Sequence, residues 1–322
     1  MITNKELHDQ LSSLTTEARN PRTRKLDRLS AQEILEIINI EDRAVADSVG
    51  GQIPYIARAA KLVVRAFRIG GRLIYVGAGT SGRLGILDAS ECPPTFGTDP
   101  EMVQGIIAGG NEAFFRSREG AEDDERQGMR DVRAKKVGKK DVVCGLAASM
   151  RTPYVVGAIK QAKRLGARTI YVTTNPRSVL RKPEFEALRR SIDVAICPDV
   201  GPEVIMGSTR MKSGTAQKLV LNMITTTTMI QLGKVYENMM IDLNIGSNKL
   251  RERARRVLMI VTGLDYETAS QRLEESKGHV KTAIVMTKAG ISLDEAVRRL
   301  KRADGFVHLA IAGKSHKRKA AR

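Results

Sequence analysis

Short apolar runs alternate with helical segments between residues 70 and 200 of this 322-residue chain. Strand–helix–strand units of this spacing build parallel sheets with helices on both faces. The alternation therefore predicts a doubly wound α/β domain. The predicted strands are 73–76, 103–108, 141–145, 169–173 and 193–197, and the predicted helices lie near 81–90, 112–136 and 153–165.

Helices are predicted on both sides of this α/β segment. Ser30 and Glu33 form a capping box that begins one helix, and residues 53–68 form another. A long helix is predicted at 208–231 with Ser208 or Thr209 as N-cap, and only short helical units follow. We predict an N-terminal arm (1–29), an α/β domain with flanking helices (30–247), a small all-helical domain (248–313) and a basic tail (314–322).

The net charge of +18 is spread along the chain, apart from its basic tail. Such a charge fits an anionic small substrate or a nucleic acid, but no aromatic-studded strand is present for base stacking, which disfavours nucleic acid. The three cysteines are too few and scattered for a disulfide framework or a zinc site, so we expect a cytoplasmic protein. No apolar run approaches 18 residues, so no membrane span is expected.

A glycine turn, Gly77-x-Gly79-x-x-Gly82, follows the first predicted strand. This is half of a dinucleotide-binding fingerprint, which also needs a full helix and then a strand that ends in an acidic residue. Pro93-Pro94 is expected to end the helix after about three turns, and the next strand ends in Gly109-Gly110-Asn111. The glycines alone are therefore a weak signal.

The hydroxyls beside this turn favour a phosphate ligand. Thr80 and Ser81 lie at a predicted helix N-terminus, where backbone N–H groups and the helix dipole attract an anion. A second strand-to-helix loop carries Ser149 and Thr152 before Pro153. Both loops can face the carboxyl edge of one parallel sheet, which predicts a sugar-phosphate site. Plain helix capping is the alternative for either loop alone.

Four longer segments, 77–95, 119–123, 147–155 and 207–222, resemble the signature of the N-acetylmuramic acid 6-phosphate etherases. The resemblance extends over roughly residues 5–312 and implies a sugar-isomerase-type (SIS) α/β domain, a small UBA-like helical domain and a homodimer. The animal glucokinase regulatory protein shares the signature but carries two such α/β domains. The chain departs from the family at Met150, where Gly usually follows the Ser of the second loop. A long side chain there is expected to shift the loop or crowd the phosphate.

The resemblance implies cleavage of the D-lactyl ether of N-acetylmuramic acid 6-phosphate to N-acetylglucosamine 6-phosphate and D-lactate, in cell-wall amino-sugar recycling. Elimination is easier than direct displacement, because the C2 proton of the open-chain sugar is next to an aldehyde. A base takes that proton, an acid protonates the departing lactate oxygen, and water then adds at C3. This chemistry needs two proton-transferring groups and no metal or redox cofactor.

The resemblance assigns Glu91 as the general acid and Glu122 as the base. Glu91 lies among small and apolar residues, so we expect partial burial that raises its pKa. Glu119 is three residues before Glu122, which predicts one shared helix face. Glu119 is assigned a bond to a sugar hydroxyl rather than proton transfer, and a solvated acidic run with Asp123 and Asp124 is the alternative. Gly79, Thr80, Ser81, Ser149 and Thr152 are the predicted phosphate-binding residues. Ser208 and Lys212, near a helix start, are expected to contact the phosphate or the lactyl carboxylate; a solvated or dimer-contact face is the alternative.

Two other functions fit the same residues. A sugar-phosphate aldose–ketose isomerase would use the same phosphate loops and one base, but it would release no lactate. A non-catalytic sugar-phosphate-sensing regulator needs no acid–base pair, and its promoter-binding form usually carries an N-terminal helix-turn-helix. Residues 1–50 contain one convincing amphipathic helix, which counts against the regulator.

Overall fold

The computed structural model describes residues 12, 14–243 and 247–316. The chain forms two compact units: Met1–Ala89 with Glu101–Thr225, and Ser90–Pro100 with Thr226–Arg322. This division differs from the predicted boundary after residue 247. Residues 1–11 and 13 of the predicted arm, 244–246 beside that boundary, and 317–322 of the basic tail lie outside the described residues.

Five parallel strands form the sheet of the first unit, as predicted. They are β1 (Leu73–Gly77), β2 (Val103–Ile107), β3 (Val142–Leu146), β4 (Arg168–Val172) and β5 (Val194–Ile196), in the order β2-β1-β3-β4-β5. Leu73 of β1 pairs with Val103 on one side and Val142 on the other. All residues of β1 and β3 are buried, because helices cover both faces. The strand order reverses between β1 and β3, where doubly wound proteins bind ligands.

Within the described part of the chain, the α-helices that accompany this sheet are α1 (Ala31–Gly50), α2 (Ile53–Arg68), α3 (Gly79–Phe96), α4 (Glu125–Ala134), α5 (Pro153–Arg164), α6 (Glu186–Arg190) and α7 (Lys212–Gln231). The capping box that begins α1 is present in both directions between Ser30 and Glu33. Short 3-10 turns lie at Thr15–Glu17, Pro21–Thr23, Leu26–Arg28, Val179–Arg181 and Pro183–Phe185.

Close contact between β1 and α3 explains two glycines of the first loop. A Cβ atom on Gly82 would lie 2.6 Å from Cγ1 of Ile107 and 2.9 Å from the Gly77 carbonyl oxygen. A Cβ atom on Gly77 would lie 2.6 Å from the Gly82 nitrogen. Any larger residue would push the helix away from the strand, so these glycines set how closely α3 packs on the sheet.

Helix α3 continues through Pro93 and Pro94 to Phe96, so the prediction that these prolines end it after about three turns is wrong. Each ring removes a backbone donor and disfavours a helix interior. Both prolines lie in the last turn, however, and the buried Cys92 and Phe96 keep that turn packed. Gly97, the first residue after the helix, has φ +59° and donates its N–H to the Pro93 carbonyl.

The predicted helix at 112–136 is three separate pieces. Asn111–Phe114 and Ala121–Asp123 are 3-10 turns, and α4 begins only at Glu125, where the Asp124 carboxylate caps it by accepting the N–H of Gln127 at 2.8 Å. The prediction that Glu119 and Glu122 share one helix face is therefore wrong, since Glu119 lies in a turn.

Helix α7 begins at Lys212 rather than after Ser208 or Thr209. The fully buried Glu203 carboxylate accepts the N–H groups of Lys212 at 3.1 Å and Ser213 at 2.9 Å. This cap comes from nine residues upstream, outside the four-residue spacing by which sequence patterns reveal caps.

The second unit has a hydrophobic core of its own. It contains a two-stranded antiparallel hairpin, which the sequence analysis missed, and short helices at the predicted spacing. Gly263 and Gly290 end two of these helices in left-handed backbone conformations. Its elements are β6 (Val235–Tyr236), β7 (Met239–Met240), α8 (Asn248–Thr262), α9 (Tyr266–Glu275), α10 (Val280–Ala289), α11 (Leu293–Arg302) and α12 (Val307–Ile311). Among residues 12, 14–243 and 247–316, no helix is both long and apolar enough to cross a membrane.

Candidate active site

A pocket of about 210 Å³ opens beside the carboxyl ends of β1 and β2. Ala78 and Gly79, directly after β1, form one wall, and Ala108, directly after β2, forms another. Gly79 has the left-handed backbone that favours glycine, with φ +51°. The remaining described wall residues are Arg83, Ala113 and residues 117–122.

Two arginines of this pocket were missed by the sequence analysis. Arg83 of α3 donates to the carbonyls of Phe114 and Ala113, both at 2.8 Å, and so fixes the segment after β2. Arg118 pairs with Glu112. Arg83 could have been recognised from the sequence, because it directly follows Gly82 of the glycine turn. Arg118 could not, because its position depends on the irregular backbone of residues 115–120.

Glu122 is an acid of the pocket with a raised pKa. Burial raises the pKa of its carboxyl and the neighbouring Asp123 raises it further, although the side chain as a whole remains exposed at the rim. A carboxylate with a raised pKa is a better proton acceptor near neutral pH. Glu119 lines the same pocket, so the structure brings these two predicted residues together by a turn rather than a helix.

Glu91 lies on α3, in the stretch Ser90–Pro100 that belongs to the second unit. Its side chain is exposed, so the expected partial burial is wrong. The prolines do not cut the helix short around it, and its helix position leaves the carboxyl in solvent. Glu91 is not among the residues that line the 210 Å³ pocket.

The first predicted phosphate loop leads into the first turn of α3. Thr80 is half-buried and Ser81 is buried there. Of the five predicted phosphate-binding residues, Gly79 lines the 210 Å³ pocket, whereas Thr80, Ser81, Ser149 and Thr152 do not.

The second predicted phosphate loop joins β3 to α5. Thr152 is the N-cap residue of α5, but its side chain makes no capping hydrogen bond, and Pro153 occupies the first turn. Ser149 accepts the N–H of Arg151 at 3.4 Å. Plain capping therefore does not explain the Thr152 hydroxyl, which leaves it available to a ligand.

The backbone of this second loop is anchored on both sides of Ser149. The Ala148 carbonyl accepts from Thr173 Oγ1 and Asn175 Nδ2, each at 2.9 Å, and from the Thr174 N–H at 3.2 Å. The Tyr171 hydroxyl donates to the Met150 carbonyl at 3.1 Å. All four anchoring residues are buried, so the loop is held from beneath by β4 and the residues that follow it.

Met150 adopts a left-handed backbone, with φ +69°. This conformation favours glycine and explains physically why Gly suits the position. The Met150 side chain is fully buried in the hydrophobic core of the first unit. The side chain therefore points away from solvent and fills the core instead of the space above the loop.

Lys212 already has an anionic partner within the chain. Its side chain is buried, and Nζ lies 2.6 Å from Oε2 of Glu41, which also accepts from Asn20 Nδ2 at 3.0 Å. Burial acts to raise the pKa of Glu41, but Lys212, Asn20 and Arg22 together outweigh it and hold the pKa below its ordinary value. Ser208 is half-buried in the loop before α7. Neither residue lines the 210 Å³ pocket.

The chain is similar to curated proteins over nearly its whole length. A protein of Salinibacter ruber named N-acetylmuramic acid 6-phosphate etherase is 58% identical over 308 residues, 95% of this chain and 96% of the relative. Proteins of the same name from Geobacillus thermodenitrificans and Clostridioides difficile are 51% and 50% identical over 94% of this chain and 99% and 96% of their own lengths.

Residues 55–163 match the model of the N-terminal SIS domain of glucokinase regulatory protein. Among solved structures, a phosphoheptose isomerase from Neisseria gonorrhoeae aligns with a TM-score of 0.45 and 16% identity, covering 62% of this chain and 98% of that one.

Proposed function

Because the chain belongs to the N-acetylmuramic acid 6-phosphate etherases, we propose that its 210 Å³ pocket takes part in cleaving the D-lactyl ether of N-acetylmuramic acid 6-phosphate. The products are N-acetylglucosamine 6-phosphate and D-lactate. The observation that carries this function is the 58% identity over 95% of the chain. The pocket supports it with a carboxylate of raised pKa at the carboxyl edge of the sheet.

The proposed reaction is an elimination followed by addition of water. Glu122 removes the proton from C2 of the open-chain sugar, and the electron pair forms the C2–C3 double bond as the C3–O bond breaks. Glu91 protonates the departing lactate oxygen. Water then adds at C3 and a proton returns to C2. The raised pKa of Glu122 supports its role as the base. Glu91 is exposed, and its role as the acid stays a prediction from family resemblance.

The proposed phosphate contacts are Gly79, Thr80, Ser81, Ser149 and Thr152. The carboxyl ends of β1 and β3 carry both loops to the point where the strand order reverses, which supports this assignment. Glu119 is proposed to bond a sugar hydroxyl. Ser208 and Lys212 complete the set, and Lys212 can contribute only by sharing its ammonium protons between Glu41 and the substrate.

We also propose that the protein acts as a homodimer in the cytoplasm, within cell-wall amino-sugar recycling. Light scattering of the purified chain tests the dimer: a mass twice that of the 35.3 kDa chain is expected.

Isotope labelling tests the proposed reaction. The purified chain is incubated with N-acetylmuramic acid 6-phosphate in H₂¹⁸O and, separately, in D₂O. We expect D-lactate without ¹⁸O, and N-acetylglucosamine 6-phosphate with ¹⁸O at C3 and deuterium at C2. Lactate that carries ¹⁸O would instead show displacement at the lactyl carbon, and absence of lactate would favour a sugar-phosphate isomerase.

Removing either acid tests the residue assignments. Glu122→Gln and Glu91→Gln are each expected to lower the rate of lactate release at least about a hundredfold, because a positioned proton-transfer group contributes about 10²–10⁴-fold. Glu36→Gln, an exposed substitution on α1, is the control. Near-normal lactate release by a folded variant would remove that residue from the mechanism.

A further inference from the structure

A second pocket, of about 470 Å³, lies wholly within the second unit. Its wall includes Thr98, Lys234, Asp242 and the beginning of α10. None of its described residues lines the 210 Å³ pocket. The proposed reaction assigns this pocket no role.

Two cations in this pocket share one carboxylate. Nζ of Lys281 lies 2.7 Å and Nζ of Lys234 lies 3.2 Å from the same atom, Oδ2 of Asp242. The exposed fractions of the side chains are only 13% for Lys281 and 25% for Lys234. One carboxylate neutralises one of the two ammonium charges, so the pair keeps an excess positive charge with little water around it. Each ammonium also has three N–H donors, of which Asp242 needs only one.

Burial lowers the pKa of Lys281, and the nearby Lys234 lowers it further, against the opposing effect of Asp242. Asp242 therefore does not fully offset the cost of burying the charged Lys281 ammonium, and an added anion would stabilise that charge.

The beginning of α10 adds backbone donors to the same wall. Val280, Lys281 and Thr282 are the first three residues of this ten-residue helix, and all three line the pocket. The N-cap residue His279 makes no side-chain capping hydrogen bond. The neighbouring α8, α9 and α11 are capped by Ser247, Asp265 and Ser292. The first N–H groups of α10 therefore lack the side-chain acceptor that these helices have.

A buried hydroxyl without a partner provides an independent sign of a ligand. Thr98 lies on the pocket wall and is 7% exposed, yet its Oγ1 has no hydrogen-bond partner. Buried hydroxyls almost always have one. A ligand oxygen in the pocket would supply the missing acceptor.

We propose that this second pocket binds the phosphoryl group of a phosphate monoester. Two ammonium groups, the first turn of α10 and the Thr98 hydroxyl present donors of three kinds, which suits the three terminal oxygens of a phosphoryl group better than the two of a carboxylate. The volume of about 470 Å³ is within the usual range for small-molecule sites, so a phosphorylated sugar fits as well as free phosphate.

Titration calorimetry of the full chain with inorganic phosphate tests the proposal. Wild type is expected to show a class of phosphate site that Thr98→Val weakens about tenfold, since the substitution keeps the shape and removes the hydroxyl. Thr228→Val is the matched control: Thr228 is a fully buried threonine of the same unit whose Oγ1 also lacks a partner, but it does not line the pocket. Lys281→Met is expected to abolish the same class of site.

Lactate release separates this site from the catalytic one. Thr98→Val is expected to keep kcat and KM for lactate release within about twofold. A failure of the proposed reaction would appear as absent lactate release in wild type, whereas a failure of the second site would appear only in the phosphate titration. Repeating the titration of wild type and Thr98→Val with N-acetylglucosamine 6-phosphate distinguishes the sources: a class of site that Thr98→Val weakens and that binds this sugar phosphate more tightly than inorganic phosphate indicates that the pocket holds the sugar too. Equal phosphate affinity in wild type, Thr98→Val and Thr228→Val would overturn the proposal, as would wild type without such a class of site.

Discussion

At the scale of single residues, the pKa of Glu122 in the candidate catalytic pocket depends on its neighbour Asp123. Burial is the main cause of the raised pKa of Glu122, and the charge of Asp123 is the second. A base must be unprotonated to act, so activity should fall as the pH drops through this raised pKa.

Asp123→Asn is therefore expected to move the acid limb of the kcat/KM profile to lower pH, because it removes one of the two causes and leaves burial in place. The profile of lactate release against pH measures the shift, with Glu36→Gln as the control. An unmoved limb would argue that Glu122 does not carry the base function.

Met150 combines an unfavourable backbone with a favourable side-chain position. Met150→Gly should relieve about 1 kcal/mol of left-handed strain but lose the buried side chain, a larger cost of about 2–5 kcal/mol. Met150→Ala loses the side chain and keeps the strain, so the expected order of stability in urea unfolding is wild type, then Gly, then Ala. At an ordinary position the glycine variant would be less stable than the alanine variant. If Met150→Gly were less stable than Met150→Ala, the proposed left-handed strain at residue 150 would be contradicted.

The candidate site residues differ in how far local sequence reveals them. Ser149 and Thr152 stay predictions, and they were proposed because Ser and Thr before a helix are a local pattern. Arg118 could not be recognised in this way, because the turn that directs it toward the pocket has no periodicity to detect.

At the scale of elements, the strands were predicted well because β1, β3 and β5 are short, fully buried runs. Strands β2 and β4 are buried over most of their length and carry enough apolar residues to be recognised. Helix ends were predicted less well where their determinants are not local. The cap of α7 comes from Glu203, and the last turn of α3 persists through two prolines because Cys92 and Phe96 are buried. The β6–β7 hairpin has strands of two residues, too short for an alternating pattern.

The residues directly after β4 anchor the second predicted phosphate loop through hydrogen bonds to the Ala148 carbonyl. Thr173→Val removes one of the anchors on the Ala148 carbonyl and is expected to raise KM for the sugar phosphate about 3- to 10-fold with kcat nearly unchanged. Thr169→Val removes an equally buried hydroxyl from the opposite end of β4, where it donates to the Ser191 carbonyl at 2.6 Å. The control should lose stability without a change in KM; the same KM change in both variants would mean that the effect is general destabilisation.

At the scale of the whole molecule, a buried ion pair joins distant parts of the first unit. Glu41 of α1 and Lys212 of α7 are 171 residues apart in sequence, and Asn20 joins them. The sequence predicts a ligand contact for Lys212, because its partner Glu41 lies too far along the chain to be recognised from local spacing.

Lys212→Met should cost about 3–5 kcal/mol of unfolding free energy, because it leaves a buried carboxylate without its main partner, whereas the double variant with Glu41→Gln should cost less. The pKa of Glu41 is lowered from 4.5, so its stabilisation is present above pH 4.5 and is lost as the pH falls through the lower folded value. Urea unfolding at several pH values measures both effects. Equal costs for the single and double variants would contradict a coupled pair.

The anchored Ala148 carbonyl also bears on how this molecule works over many turnovers. A loop tied down before any ligand arrives has given up its conformational entropy during folding, so that loss is not repeated with each substrate molecule. Association then needs no slow ordering step in this loop, and product can leave without the loop coming apart.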